Sequence, residues 1–489
     1  MGRLLATHLR LPNGTLVNRH DYVYNLASQR TYQTRTDGSY VHYDYDALGQ
    51  LTGALGSGGQ SRERLGYAYD PAWNLAWRTN SGTALAFQVD GLNQLTNSPD
   101  GRQYYDPNGN LTNAAGLTYA YDDENRLVVL TQPGAPGNWR TEFVYDGLGR
   151  LRVRREFVWF SSTLTDLSLQ SAASKKDKKS SLPVQSASVG GGEGFWFLDT
   201  ETRYVYDGRR VIHERGDYDL PLVNYTRGND LSGSLEGAGG IGGLLARTAA
   251  GSHAYYHADG NGNVTCLLAT NKSLAARYVY DPYGNVLSQA GALADANVYR
   301  FSSKEFHPRS GLYYYLYRWY DPRVQRWVNR DPIGEIGGAN LFSFVRNAPG
   351  RNHDAYGLMT NDECHRAADE WKLACKLAAT IVSGVLGVGG AALCTVVCAT
   401  VSGGTATAPC LWGCRTVAGL GGALLATWLN HTCDQETATL HKACDVKCPA
   451  PSPPNPSGPP APPQSPIPVG PPAPPTIIVE PLPIYITSL

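Results

Sequence analysis

Residues 119–127 read Tyr-Ala-Tyr-Asp-Asp-Glu-Asn-Arg-Leu, and variants of this unit recur through the first part of the 489-residue chain. Alternating aromatic side chains suit one face of a β-strand, Asp closes a turn through its side chain, and Gly or Asn supplies the positive φ before the next strand. Each unit therefore predicts a β-hairpin. Other complete or partial copies begin at Tyr43, Tyr67, Tyr105, Tyr145, Tyr204 and Tyr278.

The repeat and the composition together indicate a mainly β fold. One hairpin cannot bury its own apolar face, so the units are expected to pair into one continuous curved antiparallel sheet over residues 1–160 and 196–345. The 30 Tyr, 54 Gly and 2 Met are typical of many short strands joined by glycine turns. Residues 161–195 lack this alternation and are predicted to form a flexible low-complexity loop.

The charge balance argues against a general attraction to polyanions. Lys plus Arg and Asp plus Glu each number 42, so no global field draws the chain to nucleic acid or to an anionic membrane. No nucleic-acid partner is expected. The first ten residues contain no apolar signal core, so we expect the chain to begin inside a larger repeat array or to come from a truncated gene.

The repeats resemble the YD repeats of bacterial Rhs proteins, of the C subunits of insecticidal toxin complexes and of animal teneurins. Residues 1–298 correspond to the repeat shell. Residues 299–358, which include Gly311-Leu-Tyr-Tyr-Tyr-Leu-Tyr-Arg-Trp-Tyr-Asp-Pro322, resemble the Rhs repeat-associated core that precedes a variable C-terminal segment. The resemblance implies a sheet that spirals into a hollow shell around a cargo polypeptide.

The resemblance also implies an intramolecular aspartyl protease that cuts its own chain after a terminal Asp-Pro-x-Gly-Leu motif. Asp331 matches the first motif Asp, and Asp354 stands where the second is expected. Two close carboxylates suit this chemistry, because their repulsion keeps one protonated while the other activates water. Arg330 matches the basic residue beside the first Asp and is expected to hold its carboxylate ionised.

The second motif, Asp354-Ala-Tyr-Gly-Leu358, departs from the family pattern because Ala355 replaces Pro, which removes a fixed φ. Cleavage is expected between Leu358 and Met359. In the alternative interpretation, Asp331 and Asp354 only cap turns. No other catalytic motif and no phosphate-binding loop is present in the sequence, and no cofactor is expected.

Residues 359–448 have a different composition, with nine of the ten cysteines between Cys364 and Cys448. Two pairs with i,i+4 spacing flank a turn near residue 404, which predicts an antiparallel helical hairpin. Metal binding is disfavoured, because short Cys-x-x-Cys knuckles are absent. Disulfides would indicate an oxidising destination. The four predicted pairs share one centre and are Cys394–Cys414, Cys398–Cys410, Cys375–Cys433 and Cys364–Cys444.

Two interpretations of the apolar part of this segment remain open. Residues 377–401 carry no charge and are long enough to cross a bilayer, whereas residues 417–429 form a shorter apolar run that is not long enough. Residues 377–429 are thus either the buried seam of a soluble hairpin or a membrane-inserting hairpin. Residues 449–489 are rich in proline and are predicted to be a disordered, extended arm.

Three functions follow from these features. The first is a secreted or cell-surface delivery protein that presents or encloses its C-terminal segment, a membrane-active toxin in the polymorphic-toxin manner. Its partners would be its own tail as cargo, a membrane and a cognate immunity protein. The second is a non-toxic cell-surface structural or adhesive protein. The third is an enzyme whose one reaction is its own cleavage.

Overall fold

The computed structural model describes residues 3–58, 64–133, 137–161, 186–189 and 192–358, and this part of the chain is mainly β, as predicted. The first sheet contains eight antiparallel strands in chain order. They are β1 (Ala6–Arg10), β2 (Leu16–Tyr24), β3 (Arg30–Arg35), β4 (Tyr40–Tyr45), β5 (Leu51–Ser57), β6 (Arg64–Tyr69), β7 (Leu75–Asn80) and β8 (Thr83–Ala86).

A three-stranded sheet in the order β11-β10-β9 follows, and then a fifteen-stranded sheet. The small sheet contains β9 (Gln88–Val89), β10 (Leu95–Ser98) and β11 (Gly101–Arg102). The large sheet begins with β12 (Tyr104–Tyr105), β13 (Leu111–Ala114), β14 (Leu117–Tyr121), β15 (Leu127–Gln132), β16 (Trp139–Tyr145), β17 (Leu151–Ser161), β18 (Ser186–Val189) and β19 (Gly192–Asp207). It continues with β20 (Arg210–Arg215), β21 (Pro221–Arg227), β22 (Leu244–Ala249), β23 (Ser252–Ala258), β24 (Val264–Ala269), β25 (Leu274–Tyr280) and β26 (Val286–Ala290).

The prediction of one continuous sheet to residue 345 is wrong, because residues 305–327 form a sheet of their own and the ladder before them is interrupted at two single residues. Phe87 separates β8 from β9, and Gln103 separates β11 from β12. Both side chains are buried, at 7% and 8% exposure. At each point the chain stays extended but changes its pairing partner from one neighbouring strand to the other. Successive strands therefore still follow one another along the chain, but one hydrogen-bonded sheet ends at each of these residues and the next begins.

The region predicted as a loop, residues 161–195, contains β18 and the beginning of β19. These two strands pair with each other, with Ser186 opposite Phe195. Residues 162–185 and 190–191 lie outside the described part of the chain.

In six of the seven repeat units the Asp side chain closes the turn by accepting from the backbone N–H four positions later, as the sequence predicts, whereas Asp207 Oδ2 accepts from the Arg210 side chain. In the unit of residues 119–127, Asp122 Oδ1 accepts hydrogen bonds from the backbone N–H groups of Glu124, at 3.0 Å, and Arg126, at 2.9 Å. Asn125 has a φ of 58° in this turn. The next unit is tied to it by Tyr145, whose hydroxyl donates to the carbonyl of Leu127 at 2.8 Å. The same tyrosine contact joins Tyr69 to Leu51, Tyr206 to Leu151 and Tyr280 to Val264.

Residues 299–358, here called the core segment, form a separate small sheet and several single turns. Its strands are β27 (Glu305–His307), β28 (Leu312–Tyr314), β29 (Trp319–Asp321) and β30 (Arg326–Trp327). Its 3-10 turns are Phe301–Ser303, Gly334–Gly337 and Val345–Asn347, and a further 3-10 turn, Asp217–Asp219, precedes β21. Aromatic side chains of the core segment and the inward tyrosines of the repeats share one buried hydrophobic cluster.

The core segment also lies across the turns of the repeat units. Asn340 Nδ2 donates to Asn74 Oδ1 at 2.8 Å, and Asn347 Nδ2 donates to Gln50 Oε1 at 2.9 Å. Asn329 Nδ2 likewise donates to the carbonyl of Asn125 at 3.1 Å. One continuous segment thus holds turns that are far apart in the sequence, and this fixes the position of the core segment.

The first hairpin meets the last part of the large sheet. Asn18 Nδ2 on β2 lies 2.9 Å from His257 Nδ1 and 2.8 Å from Thr265 Oγ1. Arg277 donates to the carbonyl of Val17 at 3.1 Å. Cys266, the one cysteine within the described residues, is buried and free in this contact.

Several predictions fall on residues outside the described part of the chain. These are the helical hairpin of residues 359–448 with its four cysteine pairs, the membrane-inserting segment of residues 377–429 and the proline-rich arm of residues 449–489. Over the residues that are described, no helix has the length and apolarity needed to span a bilayer. The same residues contain no cluster of His, Cys, Asp and Glu suited to a metal ion.

Candidate active site

The chain between residues 354 and 358 is a tight turn closed by the Asp354 side chain. Asp354 Oδ1 accepts hydrogen bonds from the backbone N–H groups of Tyr356, at 3.1 Å, Gly357, at 2.7 Å, and Leu358, at 3.0 Å. Gly357 has a φ of 76°, which favours glycine. Asp354 is only 2% exposed. The turn therefore fixes one carboxylate directly before the predicted cleavage point.

Asp331 occupies a similar turn on another part of the core segment. Its Oδ1 accepts a hydrogen bond from the backbone N–H of Ile333 at 3.0 Å, and its carbonyl accepts from Gly334 at 2.9 Å. The side chain is 4% exposed. Each Asp thus uses Oδ1 to cap its own turn. Turn capping and a catalytic arrangement do not exclude each other here, because Oδ2 of each carboxylate faces elsewhere.

Arg318 brings the two carboxylates together. A single guanidinium nitrogen, Nη2, lies 2.8 Å from Asp331 Oδ2 and 3.7 Å from Asp354 Oδ2. The side chain is 1% exposed and stacks over the Trp327 ring at 4.2 Å. Burial lowers the pKa of Arg318, and its attraction to Asp331 and Asp354 opposes that shift. Two acids 23 positions apart in sequence thereby share one buried cation.

Arg318 also touches the cleavage segment itself. Its Nε donates to the carbonyl of Gly357, and its Nη1 donates to the carbonyl of Leu341 at 3.1 Å. Asp354 Oδ2 is buried and accepts no hydrogen bond from the described residues. The arrangement therefore contains one carboxylate oxygen with spare acceptor capacity, beside a cation that also binds the peptide before Leu358.

Arg330, the basic residue singled out in the sequence, lies elsewhere. Its side chain covers Gly109 in the turn of an earlier repeat unit, where a Cβ on that glycine would come within 2.8 Å of Arg330 Cδ. Arg318 was not identified from the sequence. The available signal was an arginine within the aromatic run Tyr-Leu-Tyr-Arg-Trp-Tyr, since a buried charged residue requires a partner.

The remaining side of the turn at residues 354–358 is held by backbone and hydroxyl contacts. The N–H of Tyr317 donates to the carbonyl of Tyr356 at 3.1 Å, and the Tyr356 hydroxyl donates to the carbonyl of Glu236. Leu358 is the last described residue of this segment. Met359, on the other side of the predicted cleavage point, lies outside the described part of the chain.

The repeat hairpins and the core segment laid across their turns are the features to compare with known YD-shell proteins. The family model of the teneurin YD-shell matches residues 14–158. The tRNA3(Ser)-specific nuclease WapA of Bacillus spizizenii is 26% identical over 341 residues, which are 68% of this chain and 12% of that protein. These matches confirm the predicted resemblance of the repeats to YD-repeat proteins of the Rhs type.

Two further relatives carry toxin names. The double-stranded DNA deaminase toxin A of Burkholderia cenocepacia is 26% identical over 327 residues, which are 63% of this chain and 20% of that protein. The toxin protein Tse5 of Pseudomonas aeruginosa is 23% identical over 401 residues, which are 73% of this chain and 28% of that protein. The chain thus spans only a minor part of the length of these relatives.

Proposed function

We propose that this chain is the C-terminal part of an Rhs-type delivery protein, which presents or encloses its variable tail and cuts it free between Leu358 and Met359. The observation that best supports this proposal is that Asp331 and Asp354 both lie beside one nitrogen of Arg318, and that Asp354 lies just before the predicted cleavage point. A merely structural turn needs one capping Asp. Two buried carboxylates whose Oδ2 atoms lie beside one cation are costly to desolvate, and such arrangements cluster at functional sites.

In the proposed reaction, one carboxylate takes a proton from a water that attacks the Leu358 carbonyl carbon. The other carboxyl group gives a proton to the Met359 nitrogen as the peptide bond breaks. The products are a new C-terminal carboxylate on Leu358 and a free amine on Met359. Arg318 would hold Asp331 Oδ2 and the Gly357 carbonyl by hydrogen bonds and attract Asp354 Oδ2 at 3.7 Å, so that the carboxyl groups stay near the peptide to be cut.

The delivered cargo would be the segment after Leu358. The toxin names of the relatives support a toxic cargo, with a cognate immunity protein as partner, and the clustered cysteines support export to an oxidising compartment. The alternative is a cell-surface structural or adhesive protein with a harmless tail. Expression of residues 359–489 in a bacterial periplasm separates these two, because membrane depolarisation is expected only if the tail is a membrane-active toxin.

Cleavage is tested directly by single substitutions in the full chain. Asp331→Asn and Asp354→Asn should each leave one intact band on a denaturing gel, where the unmodified chain gives two. Asp321→Asn is the matched control, since Asp321 also precedes a proline in the core segment and is 5% exposed, but pairs with Arg323 at 2.8 Å instead. Cleavage that survives both test substitutions would contradict the assigned roles.

A further inference from the structure

Lys304 is a buried lysine whose amine binds two backbone carbonyl groups. It follows the 3-10 turn Phe301–Ser303 and is 8% exposed. Its Nζ donates to the carbonyl of Ala355 at 2.6 Å and to the carbonyl of Gly239 at 2.9 Å. The two carbonyls belong to the cleavage segment and to a glycine-rich loop before β22. Lys304 therefore ties the segment that would be cut to the repeat sheet.

The packing at this point is too close for any residue other than glycine on the loop side. Gly239 has a φ of 62°, and a Cβ placed on it would lie 2.6 Å from the carbonyl carbon of Ala355. The backbone of the cleavage segment is thus pressed against the loop, with the Lys304 amine bridging both carbonyls. The contact is made by the backbone of Ala355, the position where the Rhs pattern has proline.

The contact at Ala355 has a direct consequence for Asp354. The Ala355 carbonyl and the Tyr356 N–H belong to one planar peptide unit, so fixing the oxygen also fixes the direction of the N–H. That N–H is one of the three that hold Asp354 Oδ1, at 3.1 Å. Because alanine leaves φ unrestrained where proline would set it, the hydrogen bond to the Ala355 oxygen restrains this peptide in addition to the Asp354 turn.

The surroundings of Lys304 make its burial costly. The charged groups that face it are Asp354 and Asp230, which attract the ammonium, and Arg227, which repels it. The Tyr315 and Tyr356 rings lie 5.3 and 6.0 Å from Nζ. Burial lowers the pKa of the Lys304 amine to about 7, although Asp354 and Asp230 oppose the shift. A methionine of similar length would fill this space without the cost of desolvating an amine.

We propose that Lys304 is a positioning residue for the self-cleavage, one that fixes the Ala355–Tyr356 peptide and with it the orientation of Asp354, a role that rests on the proposed function above. Lys304 does not touch the bond that breaks. Because its amine changes charge in the neutral range, the cleavage rate should carry an inflection near neutral pH that belongs to Lys304.

Hydrogen exchange of the full chain tests this role without requiring cleavage. In a chain kept intact by Asp331→Asn, adding Lys304→Met should speed exchange of the Tyr356 and Gly357 amides by on the order of tenfold or more. Lys304→Gln retains a hydrogen-bond donor, so its amide exchange rates should lie between those of Asp331→Asn alone and those with Lys304→Met added. Lys272→Met is the control, since Lys272 lies exposed in a turn between β24 and β25, and it should leave these amides unchanged.

Cleavage kinetics supply the second readout. In the otherwise unmodified chain, Lys304→Met should slow cleavage by on the order of tenfold or more and remove the inflection near neutral pH, while the melting temperature does not fall. If the unmodified chain never cleaves, the proposed function fails, while hydrogen exchange still decides whether Lys304 holds the segment. If the unmodified chain cleaves, and the Lys304→Met variant has the same cleavage rate, the same pH profile and the same amide exchange, the positioning role is overturned. Failure of both Lys304 variants to fold would also overturn it, because Lys304 would then be a structural residue.

Discussion

Arg318→Met tests whether the shared guanidinium holds the core segment together. The substitution leaves Asp331 and Asp354 buried without their common cation, at 4% and 0% side-chain exposure. Removing one partner of a buried pair typically costs about 3–5 kcal/mol, because an uncompensated charge remains. The lost hydrogen bonds to the Gly357 and Leu341 carbonyls add to this cost. We expect a loss of at least about 3 kcal/mol in the free energy of unfolding at pH 7.

The loss should depend on pH with a defined sign. Without Arg318, the negative charges of two buried carboxylates have no counter-charge, and this cost is largest where both are ionised. A folded state that binds protons more readily gains stability as the pH falls. The deficit of Arg318→Met relative to the unmodified chain should therefore be largest at pH 7 and shrink toward pH 4.

Urea unfolding followed by tryptophan fluorescence measures this free energy at pH 7 and at pH 4.5. Arg215→Met is the control, since Arg215 pairs with Asp219 at 2.9 Å while 33% and 60% of the two side chains are exposed, and such a pair contributes at most about 1 kcal/mol. Adding Asp331→Asn and Asp354→Asn to Arg318→Met should recover much of the loss. A deficit below about 1 kcal/mol, or one that does not change with pH, would refute the idea that Arg318 neutralises two buried acids.

Two other consequences concern the repeat sheet. Gly109→Ala should reduce the free energy of unfolding by more than Gly116→Ala, because both glycines have a positive φ, at 83° and 76°, but only the new Cβ at Gly109 would meet the Arg330 side chain. Equal losses in urea unfolding would show that the Arg330 contact carries no energy. Burial lowers the pKa of His257 to about 4, so the unfolded chain takes up a proton first as the pH falls from about 6.5, and up to about 3 kcal/mol is lost by pH 4. The His257→Gln variant should lose less free energy of unfolding over the same pH range. If its loss equals that of the unmodified chain, His257 does not contribute to the acid sensitivity.

The hairpins were predictable because their determinants are local. In most units the Asp side chain bonds to the amide four positions later, and in four of them also to the amide two positions later, so Tyr-x-Tyr-Asp followed by Gly or Asn specifies the turn locally. The interruptions of the ladder at Phe87 and Gln103 were not predictable. In each case one buried residue lets an extended chain change its pairing partner, and alternation alone does not distinguish this from an uninterrupted strand.

The candidate site was predictable only in part. Asp331 and Asp354 stand in recognisable motifs, but what they share is an ion-pair partner, Arg318. This arginine precedes Asp331 by 13 positions and approaches both carboxylates only through the fold of the core segment. Lys304 escaped notice for the same reason, since its partners are carbonyl groups that carry no signature in the sequence. The adjacent basic residue, Arg330, was the natural choice from sequence, yet its side chain covers Gly109.

The intact mass of the purified, unmodified full chain tests the central claim most directly. If Asp331 and Asp354 form a working pair, the spectrum should contain two species whose masses correspond to residues 1–358 and 359–489, and together to the whole chain plus one water. Asp331→Asn should give the mass of the whole chain alone. An unmodified chain that remains a single species at every pH between 4 and 9, while it stays folded, would contradict self-cleavage at Leu358.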